Sequence, residues 1–174
     1  MMHDLLWFVC ILLIALLVKY LVVEVVRVKG GSMRSTLQNG EVMLVNKAAY
    51  LLGEPKRQDV VICLYPGRYR DKWKLVPQYF VKRIIGLPGE TIAIEEGVVL
   101  VDGQPLEEPY LDEKHTQRKT SMAPVTLGDD EYFVMGDNRD SSNDSRRVGA
   151  LKRKALIGKV QEVLFPFREI RRIR

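Results

Sequence analysis

The 174-residue sequence predicts a mostly antiparallel β domain behind one N-terminal transmembrane helix. Three observations carry this. An unbroken apolar run, Leu5 to Val18, stands near the N-terminus. From Val22 onward, short valine- and isoleucine-rich stretches are separated by Gly, Pro and Asx turn signals. Strong helical periodicity is confined to the first segment.

A helix needs about 20 apolar residues to cross a bilayer core. Leu5 to Val23 reaches that length if Lys19 extends its ammonium to the interface, with Trp7 and Tyr20 near the two ends as interfacial anchors. A cleaved leader is disfavoured, because the Met-Met-His-Asp start carries no positive cluster and no small-x-small site follows Val18. The segment is read as an uncleaved anchor, residues 1–23, followed by a domain over 24–174. Charge alone points the other way on orientation: Lys19, Arg27 and Lys29 flank the run on its C-terminal side, and the positive-inside rule would keep that side cytoplasmic.

Strands are expected at Val22–Val28, Glu41–Asn46, Asp59–Tyr65, Gln78–Ile85, Glu90–Glu95, Val98–Asp102, Glu131–Met135 and Leu156–Leu164. Asp102-Gly103 is a tight-turn signal. Two stretches read as insertions: Pro66 to Pro77, mixed and charged, and a polar, variable segment at about 104–128 expected to be loop or a small flap. The basic tail from Arg168 to Arg174 reads as solvated or lying on a membrane surface.

Composition excludes disorder: 47% of residues are hydrophobic and 28% charged. The net charge of +5 suits an anionic membrane surface, and no nucleic-acid motif accompanies it. Cys10 lies in the apolar run, so a Cys10–Cys63 disulfide is not expected. The two histidines, His3 and His115, are poorly placed for a Ser-His-Asp triad. Asp140, Ser142 and Asp144 alternate as in an EF-hand loop, but the sixth and twelfth positions are Ser145 and Leu151, so a metal site is rejected. No cofactor is expected.

Three segments could carry chemistry. In Gly30-Gly31-Ser32-Met33-Arg34-Ser35-Thr36-Leu37, two glycines before a serine permit the close backbone approach that a nucleophile beside an oxyanion hole needs; a plain Gly-Ser turn is the alternative. In Tyr79 to Ile85, Lys82 shares a strand face with Phe80 and Ile84, where a desolvated lysine would release its proton more easily; an edge-strand surface lysine is the alternative. Gly136 to Arg146 is dense in capping and charged side chains, either a solvated loop or one packed against the body.

In this order and spacing, with Gly40 to Lys47 as a fourth segment, the chain resembles bacterial type I signal peptidases, most closely the short single-anchor Gram-positive form. The resemblance runs from the anchor to Pro166. It implies a signal peptidase/LexA-like β fold and a membrane-bound serine endopeptidase with a Ser/Lys dyad. By residue, it implies Ser32 as nucleophile, Lys82 as general base and Ser142 as the hydroxyl orienting that lysine. It also implies an oxyanion hole from the backbone at Gly31 and Ser32, and Arg83, Asp137, Asp144 and Arg146 as structural support. Ser35, Phe80, Glu90 and Ser141 stand where the family more often has Pro, Tyr, Asp and Asn; Ser35 is expected to loosen the turn after the nucleophile.

The implied partners are exported preproteins with small residues at −1 and −3, the phospholipid membrane and the secretion translocase. The implied topology is single-pass in the cell membrane, N-terminus cytoplasmic and catalytic domain outside. Two other readings share these residues: a LexA-like self-cleaving protease, against which the anchor speaks, and a catalytically silent membrane-anchored peptide binder, against which intact Ser32, Lys82 and Ser142 speak.

Overall fold

The computed structural model describes residues 2–69, 71–73, 75, 77–117 and 119–173, and the side chains of 2, 17–21 and 52 also lie outside its description. The chain opens with helix α1, Met2–Leu21. Every side chain described on it is exposed. Among the described residues no helix is long and apolar enough to cross a membrane. The end of the expected anchor, with the side chains of Lys19 and Tyr20, lies outside the described ones.

Twelve strands follow among the described residues: β1 Val23–Arg27, β2 Val42–Asn46, β3 Val60–Tyr69, β4 Pro77–Gly86, β5 Thr91–Glu95, β6 Val98–Val101, β7 Gln104–Pro105, β8 Met122–Thr126, β9 Glu131–Met135, β10 Leu151–Lys152, β11 Leu156–Phe165 and β12 Arg171–Arg172. Two four-residue helices, α2 Ala49–Leu52 and α3 Ser145–Val148, lie between them. The main sheet has the order β1-β2-β11-β3-β4-β9-β10, with β12 beside β11, and the smaller sheet runs β7-β6-β5-β8. Every pairing is antiparallel.

The period-two pattern becomes burial. In β2, Met43 and Val45 are fully buried while Val42, Leu44 and Asn46 are half-buried. They pack with Val60, Ile62, Val160 and Val163, and this core draws in Met33 and Leu37 from the turn beyond Ser32. Each such side chain contributes about 1.5–3 kcal/mol on full burial, so the apolar neighbours of Ser32 fasten its loop to the sheet. On the opposite face Val61, Cys63, Ile84 and Val134 cluster with Tyr65 and Tyr132. A third core, with Ile85, Ile92, Phe133 and Met135, joins the two sheets.

Three expectations need correction. The segment about 104–128 holds β7, a 3-10 turn at Glu113–His115 and β8, which completes the small sheet by pairing with β5; its polar composition hid a strand whose partner is distant in sequence. The two ends of the Pro66–Pro77 insertion are strand, because β3 continues to Tyr69 across a break in pairing after Leu64 that accommodates Pro66, and β4 begins at Pro77; residues 70, 74 and 76 of it lie outside the described ones. The basic tail docks: Arg171 binds Glu41 Oε1 at 2.8 Å and donates to the Thr36 carbonyl at 2.7 Å.

Candidate active site

β4 presents Lys82 inward. Its residue is only 2% exposed, opposite Val61 across the β3–β4 ladder. Phe80 stacks on Tyr65 with ring centroids 4.2 Å apart, and the Tyr65 hydroxyl donates to the Asn143 carbonyl at 2.9 Å. A lysine in this apolar wall loses hydration of its charged form, and burial accordingly lowers its pKa from the ordinary value. Asp144 and Asp137 oppose that shift without reversing it. Cys63 lies nearby, but burial pushes its thiol up to about 12, so it is a neutral neighbour at ordinary pH.

The Lys82 Nζ lies 2.8 Å from Ser32 Oγ and donates to it. Residues 50 apart in sequence thus meet at hydrogen-bond distance, the contact an activated serine requires. The Ser32 loop is fixed at many points. Gly30 adopts φ +94°, a left-handed conformation natural to glycine. Asn138 donates from its side chain to the Gly31 carbonyl and from its backbone to the Ser32 carbonyl, both at 3.0 Å. Among the described residues no backbone carbonyl accepts the Ser32 N–H.

The four charges expected to brace the site form two ion pairs, Arg83 with Asp137 and Arg146 with Asp144, of which only the Arg146 side chain is partly exposed. Arg83 is fully buried and grips Asp137 through Nε at 3.0 Å and Nη2 at 2.8 Å, with Nη1 on the Gln58 carbonyl at 2.8 Å. Thr36 donates to Asp137, tying this pair to the Ser32 loop. Arg146 holds Asp144 through Nε and Nη2, both at 2.8 Å, and Gly136 N donates to Asp144 at 3.0 Å. Burial pushes the Asp144 carboxyl up, yet the Arg146 guanidinium and these donors bring it below its ordinary value. Asp144 also caps α3.

Ser142 lies in the same neighbourhood, but among the described residues no hydrogen bond joins it to Lys82; its buried Oγ lacks a partner of good geometry and lies close enough to the Asp144 carboxylate to help hold that group below its ordinary value. Gly136 explains the proximity. A Cβ built there would stand 2.3 Å from Ser142 Oγ and 2.4 Å from the Ser32 carbonyl oxygen. Gly136→Ala is therefore expected to displace the Ser32 backbone and lower kcat by roughly tenfold or more, with the fold retained; circular dichroism and single-turnover kinetics check both halves.

The sequence reading missed Asn138, Thr36 and the inner part of the 104–128 segment. Tyr110 lies with its ring 3.8 Å from the Arg83 guanidinium carbon, Glu108 pairs with Arg139, and the Tyr110 carbonyl accepts from Ser35 Oγ at 3.0 Å. The Ser35 turn is tethered rather than loosened. Ser35 also adopts φ +84°, which a proline ring cannot reach. Ser35→Pro is expected to reduce cleavage severalfold by rebuilding the turn, whereas Ser35→Asn, which tolerates that φ and can still donate, retains most activity.

Beside Ser32 and Lys82 runs a groove of about 470 Å³ between Glu24–Gly30 and Gln78–Val81, with Val28, Met33 and Ile62 among its apolar walls. β1 has an open edge, and β9 pairs with β4 only from Arg83 onward, so the groove side of residues 77–82 is free of a β9 partner. His115 is occupied with Asp112 at 2.6 Å.

The chain matches a family model described as signal peptidase, peptidase S26, over residues 1–165. It is 37% identical over 167 residues to a protein named signal peptidase I from Bacillus licheniformis, covering 91% of this chain and 86% of that one. It is 36% identical over 155 residues to one named probable signal peptidase I-1 from Synechocystis, covering 89% and 78%. A solved signal peptidase I from Enterococcus faecalis V583 superposes with a TM-score of 0.49 at 27% identity, over 61% of this chain and 96% of that one.

Proposed function

The chain belongs to the signal peptidase family, peptidase S26, and on that premise we propose that it removes N-terminal signal peptides from exported preproteins as a serine endopeptidase working with Ser32 and Lys82. The observation that carries the site assignment is the 2.8 Å contact between Lys82 Nζ and Ser32 Oγ inside an apolar wall. The neutral Lys82 amine takes the Ser32 proton as Oγ attacks the scissile carbonyl. The Ser32 N–H stabilises the resulting oxyanion, the amine of the mature protein leaves with a proton from Lys82, and water, activated by the same lysine, releases the acyl group. Ser142, through its hydroxyl, orients Lys82 during this cycle, while Arg83, Asp137, Asp144 and Arg146 hold the two loops in register.

The substrate lies extended in the groove, pairing with β1 and with the free side of β4. Apolar walls from Val28, Met33 and Ile62 favour small side chains at −1 and −3. On this reading helix α1 is the anchor: its backbone of 20 residues rises about 30 Å, and its described apolar side chains from Leu5 to Leu16 find no protein cover. Residues 1–23 thus hold the domain of 24–174 to the outer face of the cell membrane, N-terminus inside, where preproteins emerge from the secretion translocase. The exposed Arg27 and Lys29 then face lipid headgroups, which accounts for charge that the positive-inside rule would have placed in the cytoplasm.

Purified full-length protein in detergent is expected to cut a preprotein after a small-x-small site, and Ser32→Ala to abolish that cut. Equal cleavage by both would remove Ser32 from the mechanism and assign the activity to a contaminant, and binding without cleavage by the wild type would return the chain to a silent binder.

A further inference from the structure

The turn joining β3 to β4 carries an unusual surface. Trp73 is 72% exposed and Leu75 78% exposed, with Tyr69 also exposed beside them. Lys72 lies 4.9 Å from the Trp73 ring centroid, and Arg68 is exposed on the same hairpin. An exposed indole and an exposed tyrosine flanked by lysine and arginine on one hairpin is the chemistry of a membrane–water interface.

Topology places this tip. From β1 through β2, β11 and β3 to β4 there are four antiparallel steps, so β1 and β4 run in the same direction. Both line the groove. Their N-terminal ends therefore share one end of the sheet. At that end β1 receives α1, and β4 begins at Pro77, at the base of the tip.

We propose that the β3–β4 tip, through Tyr69, Lys72, Trp73 and Leu75, is a second contact with an anionic lipid surface, on the same side as the exit of α1. This rests on the reading of α1 as the anchor. A single helix leaves a domain free to pivot; two contacts flanking the entrance of the groove fix its tilt. Lys82 lies five residues beyond Pro77, about 17 Å along the strand, so the tip also sets the height at which a bilayer-embedded substrate can meet Ser32.

The chain has two tryptophans, Trp7 in α1 and Trp73 in the tip, so each can be made the sole reporter. Full-length Trp7→Phe and Trp73→Phe proteins are reconstituted in phosphatidylglycerol–phosphatidylcholine vesicles with and without brominated acyl chains. Trp73 emission is expected to be quenched by bromolipid and shielded from acrylamide. The Trp73→Asp/Leu75→Asp protein is expected to lose roughly tenfold in kcat/KM on a membrane-inserted preprotein, with no change on a soluble peptide in detergent. Quenching of Trp7 but not Trp73 overturns the tip contact and leaves the anchor standing. Loss of quenching at both positions overturns both. Acrylamide protection of Trp73 without bromolipid quenching assigns the tip to a protein partner and overturns the lipid contact. An equal loss on both substrates makes the tip structural and overturns its role at the membrane.

Discussion

Replacing Lys82 by methionine is expected to lower turnover of a signal-peptide substrate by about 10⁴-fold or more and, at pH 7, to raise the thermal unfolding midpoint. The two effects share a cause. Lys82 is almost fully buried in β4, and desolvation disfavours its ammonium form. That makes the amine available as a base and makes the charged side chain a cost to the fold. A methionine keeps most of the volume without the charge.

The pH dependence separates the two contributions. Because the folded pKa of Lys82 lies below its unfolded value, the unfolded chain binds more protons between the two. Stability contributed by this site therefore rises with pH across that window. The cost of Lys82 is full below the folded pKa and disappears above the ordinary lysine value of about 10.4. The gain in the Lys82→Met protein should shrink in step. In the wild type, kcat/KM should climb along a basic limb whose midpoint lies below that of an ordinary lysine. A profile that stays flat from pH 6 to 10 would remove Lys82 as the base, whatever its distance from Ser32.

The main strands were legible from two local patterns: the expected Glu41–Asn46 became β2, which buries alternate residues, and the expected Glu131–Met135 became β9, a short apolar run buried on both faces. β8, β10 and β12 were not, since two- to five-residue strands owe their state to a partner distant in sequence and not to local pattern. In the site, Ser32 and Lys82 stood out because a serine after two glycines and a lysine in an apolar strand are each locally anomalous. Asn138 carries no such anomaly. Its two bonds to the carbonyls of Gly31 and Ser32 depend on a tertiary approach that no local spacing encodes. The role of Glu108 and Tyr110 was hidden for the same reason, beneath a polar segment that reads as loop.

Asp137→Ala is expected to destabilise the domain by about 3–5 kcal/mol, the cost of leaving a buried charge without its partner. Arg83 is fully buried, and Asp137 takes two of its donors. The Gln58 carbonyl, Thr36 hydroxyl and Tyr110 ring are among the contacts that remain after the substitution, and these three are neutral. Removing both charges, as in Arg83→Met/Asp137→Leu, should recover much of the loss, because desolvation of the pair largely offsets its attraction. Activity should not recover with it. Asp137 also accepts from Thr36, four residues beyond Ser32, so the double variant is expected to be folded yet slow, with kcat reduced more than KM is raised. Thermal unfolding of the two single variants and the double gives the coupling energy, and kinetics on the same proteins gives the positioning effect. A cost below about 1 kcal/mol for Asp137→Ala, the range of an exposed pair, would mean that water reaches Arg83 and that the pair does not brace the Ser32 loop.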